Sequence, residues 1–460
     1  MMCRIKNRFL VAATLLSIRV LLVSAPGAQA QVVTDQLQQP QQDDQATLAR
    51  YIDPASGMTV DDAVRYALAN NPELAAIRLE VIAARALVRQ AGLRANPTLD
   101  ARGSRQVNGP DNSVMVEGML PLELGGRRPA RIRVAERERD VRVEMLRDRE
   151  RMLAGEVRAK FGEALAEALK LGFTEELLIT TRRGYRLVVA RVVEGRTAPL
   201  EQNMLLVEVN RLRSTRETSE GRVQVALIEL RNLIGMKPEE PLRLKGEFTD
   251  LLDQPVSLSE ATTRALGERP DVRAARAMER LAEAQIEQAR AEGRFDAALT
   301  AGYQRMKQGF MLNGIDEMGQ LRPIDMTSHS VTFGVSLSLP VRNKNQGAIE
   351  AAVANSEAAK RRREAAELTV RREVAAAFAR YERAARAMEI FRVGVQGQSS
   401  ANLNVIRQTY ELGAKSLIDY ISEQRRFIEV ENEFIDAILA TYQARVEIER
   451  ASNAPGLVTR

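Results

Sequence analysis

Side chains able to do covalent or metal chemistry are nearly missing from this 460-residue chain. His329 is the single histidine and Cys3 the single cysteine, so nucleophile–histidine pairs and ordinary zinc sites have no parts. Gly125 and Gly126 lack the spacing and the lysine of a phosphate loop. No enzymatic activity, no metal and no cofactor is expected. What remains is charge and soft sulfur at a few marked places. Asp419 stands six residues after Gly413, which Tyr410 and Lys415 flank, and Glu201 stands six residues after Gly195. By spacing alone, Ser416 with Asp419 makes a capping box, and Pro199 with Glu201 suits a first helical turn, so both acids can stabilise helix starts. Met306, Met311, Met318 and Met326 bracket an expected external loop. Thioether sulfur suits Cu(I), but loop methionines are usually incidental and no site is assigned to them.

These residues sit on a repeated framework. The stretch from Thr59 to Pro72 is echoed from Ser257 to Pro270, with Ala63/Ala261, Leu68/Leu266 and Pro72/Pro270 each 198 positions apart. Thr59 with Asp62 and Ser257 with Glu260 have capping-box spacing, and Pro72 and Pro270 suit the first turn of a following helix. Each copy continues with an Ala-rich helical stretch, two short alternating segments, a very long charged helix, a Gly-containing break and another helix. The long stretches, 127–193 and 347–412, contain no proline except Pro129. At 1.5 Å per residue each could reach ~100 Å. Their apolar positions, such as Val157, Phe161 and Leu165 or Val374, Phe378 and Tyr381, read as helix-on-helix core.

Between Ser330 and Val341 the period changes to two. Val331, Phe333, Val335, Leu337 and Leu339 fall on one face, and Ser330, Thr332, Gly334, Ser336 and Ser338 on the other. An apolar outside with a small polar inside is the pattern of a bilayer-crossing strand, and Pro340 should end it. Leu299, Ala301 and Tyr303 alternate before it. Val114, Val116, Gly118, Leu120 and Leu122 do so in the first copy, preceded by a poorer candidate over 98–106. A soluble sandwich of four strands is the alternative.

The N-terminal thirty residues have the basic start, apolar run and A-x-A end of a cleavable secretory signal. Cys3 would leave with it, and so would Arg4, Lys6, Arg8 and Arg19. Of the 67 basic residues 63 would remain against 61 acidic ones, so the formal charge falls from +6 to +2 and the basic footprint of a nucleic-acid partner is lost. With 28% charged residues and no Trp, nothing downstream resembles a transmembrane helix, so a membrane crossing falls to strands. The expected organisation is a signal peptide over 1–30, a flexible Gln-rich lead-in over 31–57, repeats over 58–250 and 251–452, and a tail over 453–460.

This order, duplicated behind a signal peptide, resembles the TolC-type outer-membrane efflux channel family over about residues 58–452. The resemblance includes the segment from Pro121 to Arg128 after the first strand pair, itself similar to the heavy-metal branch, and that from Leu339 to Gly347 after the second. It implies a mainly α fold with a membrane β-barrel segment. The assembly would be a homotrimer with a twelve-stranded outer-membrane barrel, continued by a long periplasmic α-helical barrel. A lone chain's four strands would leave open edges in lipid, which demands a partner on independent grounds. It further implies an exit duct working with a periplasmic adaptor and an inner-membrane RND or ABC pump, in efflux or type I secretion. The competing function is a non-transport periplasmic coiled-coil scaffold. In the family an acid at the position of Asp419 forms a ring at the periplasmic entrance. A tyrosine and a base at the positions of Tyr410 and Lys415 tether neighbouring helices to an acid at that of Glu201. A second acidic position of the family is Ser422 here.

Overall fold

The computed structural model describes residues 48–246, 248 and 257–454. The expected signal peptide, most of the Gln-rich lead-in, the junction around residue 250 and the end of the tail lie outside them.

Helix α1 (Val60–Asn70) begins on a reciprocal capping box. The Thr59 hydroxyl accepts from the Asp62 amide and the Asp62 carboxylate accepts from the Thr59 amide. Asn71 ends α1 and caps α2 (Pro72–Ala91), accepting from the Leu74 amide at 2.9 Å. Strands β1 (Thr98–Arg105) and β2 (Asn112–Pro121) follow, then α3 (Arg127–Val193), 67 residues long, and α4 (Pro199–Ile234). The same order returns in α5 (Leu258–Glu268), α6 (Pro270–Glu292), β3 (Asp296–Ile315), β4 (Leu321–Ser338), α7 (Gln346–Ile390), α8 (Gly397–Glu411) and α9 (Leu417–Ser452).

Several expectations are corrected in detail. The second capping box is half formed: Ser257 accepts from the Glu260 amide, but the Glu260 carboxylate turns to Arg264 at 3.1 Å. The second long helix is not uniform, because Phe391–Gln396 is a π-helical turn set among Gly394 and Gly397, where each residue contributes less axial rise. The lead-in is structured from Leu48 onward. A 3₁₀ turn at Leu48–Arg50 leads into bridges from Ile52 and Met58 to Leu244, and the Leu244 amide donates to the Tyr51 carbonyl at 2.8 Å. Its polar composition is interrupted there by Leu48, Tyr51, Ile52 and Met58, which pack on the core.

The main core gathers Leu153, Val157, Phe161 and Leu165 of α3, Leu227, Leu230 and Ile234 of α4, Val64 and Leu74 near the start, and Tyr442 of α9. Gly162 lets α9 approach: a Cβ there would run into the Tyr442 ring, whose hydroxyl donates to the Arg158 carbonyl at 3.1 Å. Gly162→Val is therefore expected to destabilise the fold by about 1–3 kcal/mol, read as a lowered unfolding temperature. An unchanged transition would mean that the α3–α9 contact is loose.

The two halves close their helical joints alike with different chemistry. Asn71 donates to the Leu233 carbonyl at 2.8 Å near the end of α4. At the corresponding joint, the buried Arg269 donates to the Ala451 carbonyl at 3.1 Å near the end of α9, and its remaining donors meet Asp271 and Glu373. Burial pushes the Asp271 carboxyl up, but the hydrogen bond and charge of Arg269 outweigh it and leave it below the usual range.

The strands form one antiparallel sheet in the order β1-β2-β3-β4, so the first repeat is hydrogen-bonded to the second through β2 and β3. Directly opposed residues share a face. One face carries Val331/Tyr303/Val116, Phe333/Ala301/Gly118/Leu99, Val335/Leu299/Leu120 and Leu337/Ala297 as successive rungs. These rungs extend about 20 Å along the strand, and on β4 the chain leaves them uncovered: Phe333 is 80% exposed. The alternation expected at Val331, Phe333, Val335 and Leu337 is present. Leu339 is corrected to a position beyond β4, because Pro340 has no N–H to pair. The expected external loop is also corrected. Met306 and Met311 lie in β3, Met326 in β4, and only Met318 in the turn, since the hairpin continues past a register shift to Ile315 opposite Leu321. Among the described residues no helix is long and apolar enough to cross a membrane.

Candidate functional site

At the end of the helices farthest along the chain from the sheet, two turns are built alike. After α3, Gly195 adopts a left-handed φ of 71°, its amide donates to the Val192 carbonyl at 3.0 Å, and the Arg196 amide reaches back to Arg191 at 2.8 Å. After α8, Gly413 has φ 77°, its amide donates to Tyr410 at 2.9 Å, and the Ala414 amide reaches Thr409 at 2.9 Å. Both are Schellman closures, which need a residue without a Cβ at the left-handed position. The next helices start differently. Pro199 opens α4 with no side-chain cap, whereas α9 begins on a full capping box between Ser416 and Asp419.

The two tips meet through a polar contact. The Tyr410 hydroxyl donates to Glu201 Oε2 at 3.1 Å, joining α8 to α4. Tyr410 also stacks on Tyr420 of α9, with ring centroids 5.8 Å apart and planes 5° from parallel. Burial, then the Glu201 carboxylate, push the Tyr410 hydroxyl up to about 12. The neutral, donating form is thus favoured in the folded tip. Its contribution is complete below the ordinary tyrosine pKa of ~10 and is lost as pH rises from there to about 12. A tyrosinate absorbance titration should show one transition near 12 that Tyr410→Phe removes; its persistence in the variant would assign it elsewhere.

Asp419 is exposed. Hydrogen bonds from the Ser416 hydroxyl and amide, with help from the Lys415 charge, hold its carboxyl below the usual range, so it is ionised at neutral pH. Lys415 is exposed as well. Among the described residues no hydrogen bond joins it to Glu201, so of Tyr410 and Lys415 it is Tyr410 that contacts that carboxylate within one chain.

Beneath the tips, sequence reasoning missed the groups that bind α9 to the first repeat. Glu208, 1% exposed, accepts from Arg425 at 2.7 Å, and the buried Gln424 donates to Thr181 Oγ1 at 2.7 Å. The available signal was Glu208 in an apolar stripe with Leu205, Val209 and Leu212, where a charged residue at core spacing requires a partner. These links hold α9 firmly. By contrast, α8 buries only Ser399, and Ile390, Val393, Val405 and Leu412 stand exposed along the π turn and α8.

The chain matches the family described as outer membrane efflux protein in two stretches, residues 63–236 and 261–454. It is 23% identical over 407 residues to the cobalt-zinc-cadmium resistance protein CzcC of Cupriavidus metallidurans, covering 86% of this chain and 90% of that protein. Among solved structures it resembles CusC with a TM-score of 0.69 at 19% identity, covering 85% of this chain and 91% of that one. It also resembles the Campylobacter jejuni outer membrane channel CmeC with a TM-score of 0.69 at 13% identity, covering 87% and 86%. The open-state Neisseria gonorrhoeae channel MtrE gives a TM-score of 0.66 at 20% identity, covering 87% and 91%.

Proposed function

Because the chain belongs to the outer membrane efflux protein family, we propose that it is the exit duct of a tripartite efflux or type I secretion system in the outer membrane. It carries substrates from an inner-membrane pump, met through a periplasmic adaptor, across the periplasm and out. Three copies close one barrel of twelve strands, each giving β1–β4, and their long helices form the periplasmic tunnel. The two repeats, 58–250 and 251–452, arose by duplication and supply the alternating walls of that tunnel.

The observation that carries this reading is the four-stranded sheet itself. One face is largely apolar and uncovered, the other polar, and among the described residues the edges β1 and β4 are unpaired. Such a sheet is satisfied in lipid only by closing with further copies. The exposed apolar residues Ile390, Val393, Val405 and Leu412, from the end of α7 to the end of α8, ask for a neighbour in the same way. The scaffold reading would need this face covered by protein, and the family match does not favour it.

The test is fractionation followed by sizing. The mature chain should sediment with outer membranes, need detergent for release and run as a trimer. Recovery as a soluble periplasmic protein, or a lone chain stable in lipid, would overturn the proposal. For cargo, toxic metal ions come first on the likeness to CzcC, and a deletion strain should be screened for sensitivity to them.

A further inference from the structure

The two ends of the sheet differ in charge. At the end where the helices join, the segments 92–97, 122–131, 292–296 and 339–347 carry seven bases against three acids. At the far end Arg105, Lys307 and Arg322 are matched by Asp111, Asp316, Glu317 and Asp325, and Lys307 pairs with Asp325 and Arg322 with Asp316. The three acids at the helical end are already engaged. Glu123 accepts from Arg131 at 2.6 Å, Asp296 from Arg127 at 2.7 Å and Glu292 from the Gln288 side-chain amide at 2.9 Å. Arg94, Arg294, Arg342 and Lys344 are exposed there, and among the described residues none of the four has an acidic partner; Arg294 donates to the Gly125 carbonyl at 3.1 Å.

Contacts between the connecting segments set these bases in a row across the foot of the sheet. Arg131 joins Glu123 to the carbonyl of Leu93, the neighbour of Arg94. Two residues beyond Glu123, Gly125 meets Arg294. A Cβ on Gly293 would run into the Lys344 carbonyl, so the segment holding Arg342 and Lys344 is pressed against the one holding Arg294. The row borders the uncovered apolar face. Leu122, whose amide donates to the Ala297 carbonyl at 2.9 Å, extends the last rung of that face, and Phe295 lies two residues before Ala297. Leu339 and Val341 follow β4, and Val341 is 76% exposed.

We infer that Arg94, Arg294, Arg342 and Lys344 form a docking row for the phosphodiester headgroups of anionic phospholipids in the leaflet beside the helices. Guanidinium and ammonium groups at the edge of an apolar band sit where acyl chains give way to headgroups, and both bind phosphate oxygens. With no acid left to neutralise them, their charge is available to a lipid. The far end, where acids outnumber bases, repels the same headgroups, so the preference is confined to one leaflet. That the apolar face meets lipid rests on the proposed barrel; the unpaired charge at one end of the sheet rests on this chain alone.

The test reconstitutes the full chain into phosphatidylcholine nanodiscs holding a trace of spin-labelled phosphatidylglycerol or, separately, spin-labelled phosphatidylcholine. Electron paramagnetic resonance reads the fraction of each label that the protein immobilises. Phosphatidylglycerol should be preferred about tenfold or more at low salt, and the preference should shrink as added NaCl screens the charges. A base near a membrane surface is worth about fivefold in such binding. Arg342→Gln combined with Lys344→Gln should therefore cut the preference at least about fivefold, while Arg322→Gln, at the far end and paired with Asp316, should leave it intact. If the double variant failed to assemble, Arg94→Gln at the other end of the row and the salt series on the unaltered chain would carry the comparison. Equal immobilisation of the two lipids, a preference indifferent to salt, or an equal loss in Arg322→Gln would overturn the row. So would variants that change ion selectivity in planar bilayers but keep the lipid preference, because the bases would then line the duct. A chain that immobilises both lipids alike removes only this inference; one that immobilises neither removes the barrel as well.

Discussion

Val335→Arg and Leu337→Arg are expected to abolish assembly in the outer membrane, whereas Ser336→Arg leaves most of it. Val335 shares a rung with Leu299 and Leu120 inside the uncovered apolar face, and Leu337 pairs with Ala297 at its last rung. Ser336 opposes Ala298 on the polar face. An arginine facing lipid at the bilayer midplane costs about 2–4 kcal/mol, and a trimer carries three of them, roughly 6–12 kcal/mol in all. That is comparable to the whole stability of an ordinary domain. On the polar face the same side chain would meet water. The amount of detergent-resistant trimer in outer-membrane fractions measures the difference. Equal tolerance at the three positions would mean that neither face meets lipid.

The second large effect concerns the tip. In the proposed trimer three copies of Asp419 converge on the periplasmic entrance, and the Ser416 hydrogen bonds that hold each carboxyl below its usual range keep them charged at neutral pH. A ring of like charge in a narrow mouth concentrates cations by tenfold or more. Asp419→Ala should accordingly weaken block by trivalent cations by roughly that factor and reduce cation selectivity in single-channel recordings. Asp419 is also the N3 partner of a capping box, so alanine removes two functions at once. Asp419→Asn separates them, since the amide oxygen can still accept from the Ser416 amide while the charge is gone. If the asparagine variant loses cation block as alanine does, charge controls the entrance. Block retained in both variants would leave Asp419 as a helix cap alone. Tyr410→Phe acts on a different element, freeing α8 from Glu201, and should raise conductance with selectivity unchanged. Acidification works in one direction on the cap: because the Asp419 carboxyl is depressed, its contribution is full above the ordinary carboxylate range and is lost as pH falls through the depressed value.

Much of the architecture was legible because it is local. A period of two over Val331–Leu337 specifies which side chains share a face whatever the strand pairs with. The scarcity of proline over 127–193 and 347–412 lets a helix run, and Gly195 and Gly413 supply the left-handed residues that stop it. Ser416 with Asp419 describes a cap within four residues. The repeat itself is visible as matched residues 198 positions apart. Even the pairing of Tyr410 with Glu201 is implied beforehand, by the family resemblance and not by local spacing.

The sequence by itself determined the alternation, the caps, the breaks and the doubled plan, since each depends on residues a few positions apart and on backbone preferences acting within one turn or one strand. Only the tertiary structure decided who meets whom across the repeats. Arg425 reaches the buried Glu208 from 217 positions away, and Gln424 reaches Thr181 from 243. The joint sealed by Asn71 in one half is sealed by Arg269 in the other. The hairpin extends through what composition suggested was a loop, and its register puts Met306 and Met326 on one face. Strand register and helix docking come from the summed burial of many side chains, and shifting a pairing by one residue would send every one of those methionines to the opposite face. No short stretch of sequence contains that sum.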